Sequence, residues 1–249
     1  MSDPTKNNNS ASYSWNSYGK TDVGKARKHN EDSMLVRPEV GMWVVADGMG
    51  GHDAGDVASK MVVDSLGQIK KGASLESYIE DIEKTLINVN AKLIEIAKQG
   101  EKQTTVGSTV VVMLAYEKFC VFLWAGDSRL YRIRKNKLIQ LTTDHSQVQQ
   151  YVEQGLITKE EAETHPQSNM ITRAVGATDK FVLDVDMQEI QHGDRYLLCS
   201  DGLTKHIPDI EFEKMLNNGE VEKKCDELIE LTLTRGAKDN VTAILIDIE

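Results

Sequence analysis

The stretch from 41 to 59 constrains this chain more than any other. Met42 to Ala46 is an apolar run with adjacent valines, and it breaks into Asp47, Gly48, Met49, Gly50 and Gly51. Such a run reads as a strand buried on both faces, here ending at Asp47. The glycines permit backbone angles and close approaches that a Cβ would resist, so the main chain itself can face a ligand. Asp47 and the Gly48 carbonyl can then hold one cation together. From about Asp53, Val57, Ala58, Met61, Val62, Leu66 and Ile69 recur at helical spacing and predict a helix with one apolar face. A plain tight connection would produce the same glycines. A dinucleotide fingerprint fails, because the sixth position from Gly48 is Asp53 and Asp47 has the wrong charge for a pyrophosphate. The Gly-Lys-Ser/Thr of a phosphate loop is missing from this turn.

What decides between these readings is whether other acidic turns join Asp47, and three do. Asp127 follows the apolar run 118–125, Asp201 follows 195–199, and Asp239 opens the run 241–248. Together the four carboxylates would repel one another strongly unless cations sat between them. Oxygen donors without a matching His or Cys set point to Mg²⁺ or Mn²⁺ rather than zinc. Two such ions can activate a shared water and clamp the oxygens of a phosphoryl group. An arginine would complete a phosphate site. Arg27 is the best candidate, its alternative being a solvated surface cation. It lies in a basic turn that runs into Glu31 and Asp32 ahead of the strand Met34 to Val36. Pairing of that strand with the Asp47 strand would bring Asp32 beside Asp47, and Arg27 near both.

The rest of the chain supplies a frame for this cluster. A polar, asparagine- and serine-rich tail over 1–12 has nothing to bury and is expected to be disordered. Tyr13 to Val23 is weakly strand-like. Leu75, Ile79, Ile82, Leu86, Val89, Leu93 and Ile96 predict a long amphipathic helix ending near Gly100. Two strands are expected over 105–115 and 118–125, a returning strand over 130–134, and another over 181–190. Between 141 and 177 the periodicity dissolves into short helices and turns, as in a functional flap. Closing helices are expected over 208–217 and 220–233, the second with Val221, Cys225, Leu228, Ile229 and Thr232 along one face.

With 249 residues, 40% of them hydrophobic, the chain can bury one large core. A net charge of -10 argues against nucleic acid as the main partner. The longest apolar run, Val110 to Tyr116, is far short of the roughly 18–20 residues that span a bilayer, and no secretory segment follows Met1. The cysteines at 120, 199 and 225 are odd in number and widely spaced, which suits buried thiols in a reducing cytoplasm.

Arg27 with Asn30-Glu31-Asp32, Ala46-Asp47-Gly48-Met49-Gly50-Gly51-His52, Gly107-Ser108-Thr109, Gly126-Asp127-Ser128-Arg129, Leu141-Thr142-Thr143-Asp144-His145-Ser146, Ile171-Thr172-Arg173-Ala174-Val175-Gly176, Ser200-Asp201-Gly202-Leu203 and Asp239-Asn240-Val241-Thr242 stand in one order along the chain. In these motifs, from about Tyr13 to the C-terminus, the chain closely resembles the bacterial metal-dependent serine/threonine protein phosphatases of type 2C. The resemblance implies an α+β fold, a four-layer α/β/β/α sandwich of two antiparallel sheets flanked by helices, with metals in a cleft at one end. It implies two or three Mn²⁺ or Mg²⁺ ions. Asp47 would bridge two of them and the Gly48 carbonyl would bind one. Asp201 and Asp239 would complete the first site, Asp127 with Asp201 would hold a third ion, and Asp32 would serve the second directly or through water. Arg27 would bind the substrate phosphate and His52 is a candidate general acid. The segment 145–176 would be the flap. Asp53, Asp56 and Ser168 depart from the family pattern, which bears on substrate preference more than on chemistry. The implied activity is hydrolysis of phosphoserine and phosphothreonine on proteins by a monomer that reverses a serine/threonine kinase. A catalytically silent adaptor that binds phosphoproteins is the alternative. Cys199 lies inside an apolar strand, without the arginine-bearing loop a cysteine phosphatase needs.

Overall fold

A computed structural model describes residues 13–50, 54–99 and 105–249. The tail 1–12 and the residues Gly51, His52 and Asp53 lie outside the described part. The elements are β1 (Trp15–Asp22), β2 (Asp32–Arg37), β3 (Met42–Met49), α1 (Ala54–Leu66), α2 (Leu75–Gln99), β4 (Gly107–Ser108), β5 (Val110–Tyr116), β6 (Phe119–Ala125), β7 (Arg129–Arg134), β8 (Lys137–Gln140), α3 (Gln147–Glu153), α4 (Lys159–Glu163), β9 (Asp184–Glu189), β10 (Arg195–Cys199), α5 (Asp201–Thr204), α6 (Asp209–Leu216), α7 (Val221–Thr234) and β11 (Val241–Ile248).

The strands form two antiparallel sheets, one ordered β1-β11-β10-β7-β8 and the other β2-β3-β5-β6-β9, with β4 paired to β3. Alternation along the strands explains the layering, since successive side chains leave a strand on opposite faces. In β3, Met42, Val44 and Ala46 pack on α1 and α2, while Trp43 and Val45 enter the space between the sheets. In β11, Ile244, Ile246 and Ile248 fill that same space, while Val241, Ala243 and Leu245 meet α6 and α7. Both central strands are therefore covered twice, and the molecule is the expected four-layer α/β/β/α sandwich.

Several boundaries differ from expectation. β3 does not stop at Asp47 but runs on to Met49, because β4 pairs Ser108 with Gly48 and Gly107 with Met49. Asp47 is thus held inside a ladder rather than at its free end. Helix α1 ends at Leu66, so Ile69 lies past it, and Val57 faces outward at 44% exposure. Ile96, assigned to the buried face of α2, is 37% exposed near the helix end. The face of α7 is as expected, with Val221, Cys225, Leu228, Ile229 and Thr232 all buried. The three cysteines are buried and free.

Candidate metal centre

The β2–β3 register sets Asp32 directly opposite Asp47. Around this pair the two sheets are stitched together. Asp32 Oδ2 accepts from Ser200 Oγ at 2.7 Å and from Thr242 Oγ1 at 2.6 Å, two residues at the ends of β10 and β11 in the other sheet. The main chain of Asp47 is equally fixed. Its N–H donates to Thr109 Oγ1 at 3.0 Å, and its carbonyl accepts from the Thr109 N–H at 2.8 Å and from Ser108 Oγ at 3.0 Å. Thr109 Oγ1 also lies 2.7 Å from Ser128 Oγ, which ties the Asp47 strand to the Asp127 turn.

Two glycines are there because nothing larger fits. A methyl group on Gly48 would lie 1.9 Å from the Gly55 carbonyl oxygen, where α1 begins. One on Gly202 would lie 1.9 Å from the Asn240 carbonyl oxygen. Asn240 in turn clamps the loop that carries Arg27. Its Oδ1 accepts from the Glu31 N–H at 2.8 Å, and its Nδ2 donates to the carbonyls of Val23 at 2.9 Å and His29 at 3.0 Å.

Arg27 departs from expectation in its partner. Its guanidinium lies close enough to feel Asp47, as expected, but the carboxylate it grips is Asp239, with Nε 3.0 Å from Oδ1 and Nη2 3.1 Å from Oδ2. The Lys205 ammonium bonds Asp201 and stands 4.0 Å from Asp239 Oδ2. Lys205 escaped sequence reasoning although its spacing of i+4 from Asp201 was visible. Ser200, Thr242, Thr109 and Asn240 appeared only as parts of motifs, with no role assigned.

The electrostatics of the cluster follow from burial and like charge. Burial first, then the nearby acids Asp201 and Asp239, pushes Asp32 up to about 7, against the pull of its two hydroxyl partners. Asp127 is pushed up to about 8 by burial and by Asp201. Burial first, then the charges of Asp32, Asp201, Asp127 and Asp239, hold Asp47 well above the usual carboxylate range. Asp201 is raised by burial in spite of Lys205. Asp32 Oδ1, Asp127 Oδ1 and Asp201 Oδ1 are buried without any hydrogen-bond partner. A buried carboxylate oxygen with no donor is costly, and a hard divalent cation is the species that would satisfy several of them at once. The donor set fits such an ion. Among the described residues no three His, Cys, Asp or Glu side chains already close on one point. Burial pushes the Cys199 thiol up, which leaves it inert as a nucleophile.

Beside the carboxylates lies a cavity of about 600 Å³, walled by Asp127, Asp201 and Lys205 on one side and by α3 and α4 on the other. The Arg129–Asp144 pair, with Nη2–Oδ2 at 2.6 Å and Nε at 2.9 and 3.0 Å from the two oxygens, stiffens one wall. Asp184 at the start of β9 anchors the segment 145–176, since it pairs with Arg173 and lies 3.1 Å from His145 Nε2. The His145 ring stacks on Trp124, with centroids 6.0 Å apart, and its Nδ1 accepts from the Gly126 N–H at 3.1 Å.

A sequence profile described as Protein phosphatase 2C matches residues 24–246. The chain is 37% identical over 236 residues to the serine/threonine phosphatase stp of Listeria monocytogenes, covering 92% of this chain and 94% of that one. The crystal structure of the Mycobacterium tuberculosis serine/threonine phosphatase PstP/Ppp matches with a TM-score of 0.87 and 34% identity over 94% of this chain and 99% of the other. The catalytic domain of PstP in complex with 2 manganese ions matches with a TM-score of 0.85 and 32% identity over 95% of this chain and 99% of the other. Its two-sheet sandwich, its ordered motifs and these likenesses agree, and the chain belongs to the protein phosphatase 2C family.

Proposed function

We propose that this chain hydrolyses phosphoserine and phosphothreonine esters on proteins with Mn²⁺ or Mg²⁺ held by Asp47, the Gly48 carbonyl, Asp201 and Asp239, with Asp32 and Asp127 completing the set. The observation that carries this reading is the trio of buried, partnerless oxygens on Asp32, Asp127 and Asp201 at one end of the sandwich. When bound, the ions supply an activated water and neutralise charge on the phosphoryl oxygens. The protein does the rest. Hydroxyls from Ser200 and Thr242 fix the Asp32 carboxylate, and Thr109 fixes the Asp47 backbone. Arg27, held over the cluster by the Asn240 clamp, binds the substrate phosphate. The cavity between flap and cluster receives the flanking peptide, and His52 is the candidate for protonating the leaving oxygen.

The chain is a metal-dependent protein phosphatase rather than a silent phosphoprotein adaptor, since a pure binder has no need of a crowded carboxylate cluster. Its expected setting is the cytoplasm, as a monomer opposite a serine/threonine kinase. Among the described residues no helix is long and apolar enough to cross a membrane, and the net charge of -10 disfavours nucleic acid. Phosphate release from a phosphothreonine peptide, with Mn²⁺ and then with excess chelator, tests the reading. Release should occur with the metal and stop with the chelator; release indifferent to chelation would reject it.

A further inference from the structure

Asn90 is out of keeping with its helix. It is 4% exposed in the middle of α2, among the buried side chains of Ile82, Leu86, Val89 and Leu93, and its amide is used at both ends. Its Oδ1 accepts from the Gly176 N–H at 2.7 Å and its Nδ2 donates to the Thr178 carbonyl at 3.0 Å. The amide thus does for this short run of backbone what a neighbouring strand would otherwise do. Gly176 has a φ of 87°, and a methyl group on it would lie 2.3 Å from the Val106 carbonyl oxygen and 2.9 Å from Leu93 Cβ, so the run is pressed against α2 and the approach to β4. The residue before it, Val175, exchanges two backbone hydrogen bonds of 2.9 Å with Ser108. Ser108 in turn pairs with Gly48, and its Oγ lies 3.0 Å from the Asp47 carbonyl oxygen. One line of contacts therefore runs from the inner face of α2 through Gly176, Val175 and Ser108 to Gly48.

We propose that Asn90 is a positioning residue of this enzyme: by pinning Gly176 and Thr178 to α2 it holds Val175 and Ser108 in place, and Ser108 holds the Gly48 carbonyl where it can meet a divalent ion. The proposal rests on the reading of that carbonyl as a metal ligand. β4 has only two residues, and a strand so short keeps its register through its neighbours. On one side that neighbour is β3. On the other it is Val175, which leaves the pairing at once through the turn at Gly176. Asparagine suits the turn because one short side chain supplies both an acceptor and a donor. Leucine is of nearly the same size but would leave a buried N–H and a carbonyl without partners. Groups that orient a metal ligand without touching the ion typically change metal affinity or activity by about ten- to a hundredfold when they are lost.

Mn²⁺ binding to the chelator-stripped full chain, measured by isothermal titration calorimetry, tests this together with turnover on a phosphothreonine peptide and amide exchange. Asn90→Leu should weaken Mn²⁺ binding by about tenfold and lower kcat at saturating Mn²⁺ by a similar factor, with KM for the peptide little changed. Exchange should quicken at Ser108, Val175 and Gly176 and stay as it is in β10 and β11. Ile82→Ala, eight residues earlier in the same helix, separates this from a general loss of stability. It empties buried volume without removing the clamp, so it should lower the melting temperature at least as much and leave Mn²⁺ affinity and kcat at wild-type values. If Asn90→Leu does not fold, Asn90→Asp, which keeps an acceptor for the Gly176 N–H and sets an oxygen against the Thr178 carbonyl, carries the same comparison. Quickened exchange with normal Mn²⁺ affinity and kcat, or an equal loss of both in Ile82→Ala, would overturn the proposal. A wild type that bound no Mn²⁺ would overturn the metal-centre reading itself, and this proposal with it.

Discussion

Asp47 is held by its neighbours at every backbone atom that can be held, so its side chain can be altered without disturbing the strand. Asp47→Asn preserves shape and removes a charge from the centre of the cluster. Turnover on a phosphothreonine peptide at saturating Mn²⁺ is expected to fall by at least about a hundredfold, the usual scale for a lost ligand or its support. The melting temperature of the chelator-stripped variant should be no lower than that of wild type, because the amide is neutral without the proton that a carboxyl buried among like charges must take up. Near-normal turnover would remove Asp47 from the ligand set. Arg27 is half-exposed and paired with Asp239, so Arg27→Ala should fold normally and raise KM by about tenfold while lowering kcat less, the signature of uniform binding. An unchanged KM with a collapsed kcat would show a different role. At this scale the acids were legible because each breaks an apolar run. The residues that orient them were not. Ser200 and Thr242 reach Asp32 across 168 and 210 residues of chain, and a hydroxyl beside a strand carries no sign of so distant a partner.

Among the elements, those with a repeating apolar face were readable. The α7 face came out residue for residue, since five buried positions at helical spacing have no other explanation. Short elements without a repeating face were not. The hairpin joining β7 to β8 turns at Lys135 and Asn136, both at positive φ (51° and 61°), within a run of charged side chains and without the glycine that marks such a turn. The extension of β3 past Asp47 depends on β4, a strand of two residues that leaves no pattern. The segment 145–176, expected to be a flap, was readable only as a loss of periodicity. Its anchorage is a matter of three side chains, because Asp184 holds both Arg173 and His145 from the edge strand β9. Asp184→Ala should therefore loosen the segment 146–172, measured as faster amide exchange there with the sandwich strands unchanged. It should also raise KM for a phosphopeptide several-fold more than it lowers kcat, if the flap positions the peptide. Exchange unchanged in the flap would show that its backbone bridges, Ser108 to Val175 and Ser146 to Ile171, suffice to hold it.

The whole molecule is a sandwich with its charge problem gathered at one end, and that gathering determines how stability responds to pH and metal. The strands apolar on both faces called for a layered interior, and the sandwich itself was legible only through the family resemblance carried by the ordered motifs. Its electrostatics needed the coordinates. Asp32, raised from 3.8 to about 7, and Asp127, raised from 3.8 to about 8, hold protons in the folded chain that the unfolded chain would release. Their contribution to stability is thus fully present below 3.8 and is lost as pH rises through about 7 and 8. His145 works the other way. Burial lowers it from 6.5 in spite of Asp184, so its contribution is present above 6.5 and lost in acid, and the carboxylate effect is best read above that value. Chelator-stripped protein should accordingly melt at lower temperature as pH rises from about 6.5 to 8.5. Metal binding requires ionised carboxylates, so Mn²⁺ competes with these protons and should stabilise more at the upper end of that range. At a hundred times Kd one site adds about 2.7 kcal/mol, which is several degrees for a domain of this size. The Mn²⁺-induced rise in melting temperature should therefore be larger at high pH than at low pH. Asp127→Asn should flatten the decline of the stripped protein, and Asp56→Asn, outside the ligand set, should leave both effects intact. A stripped protein whose melting temperature is flat or rising over that range, or a metal shift independent of pH, would mean that the buried carboxylates are not the groups on which protons and metal compete.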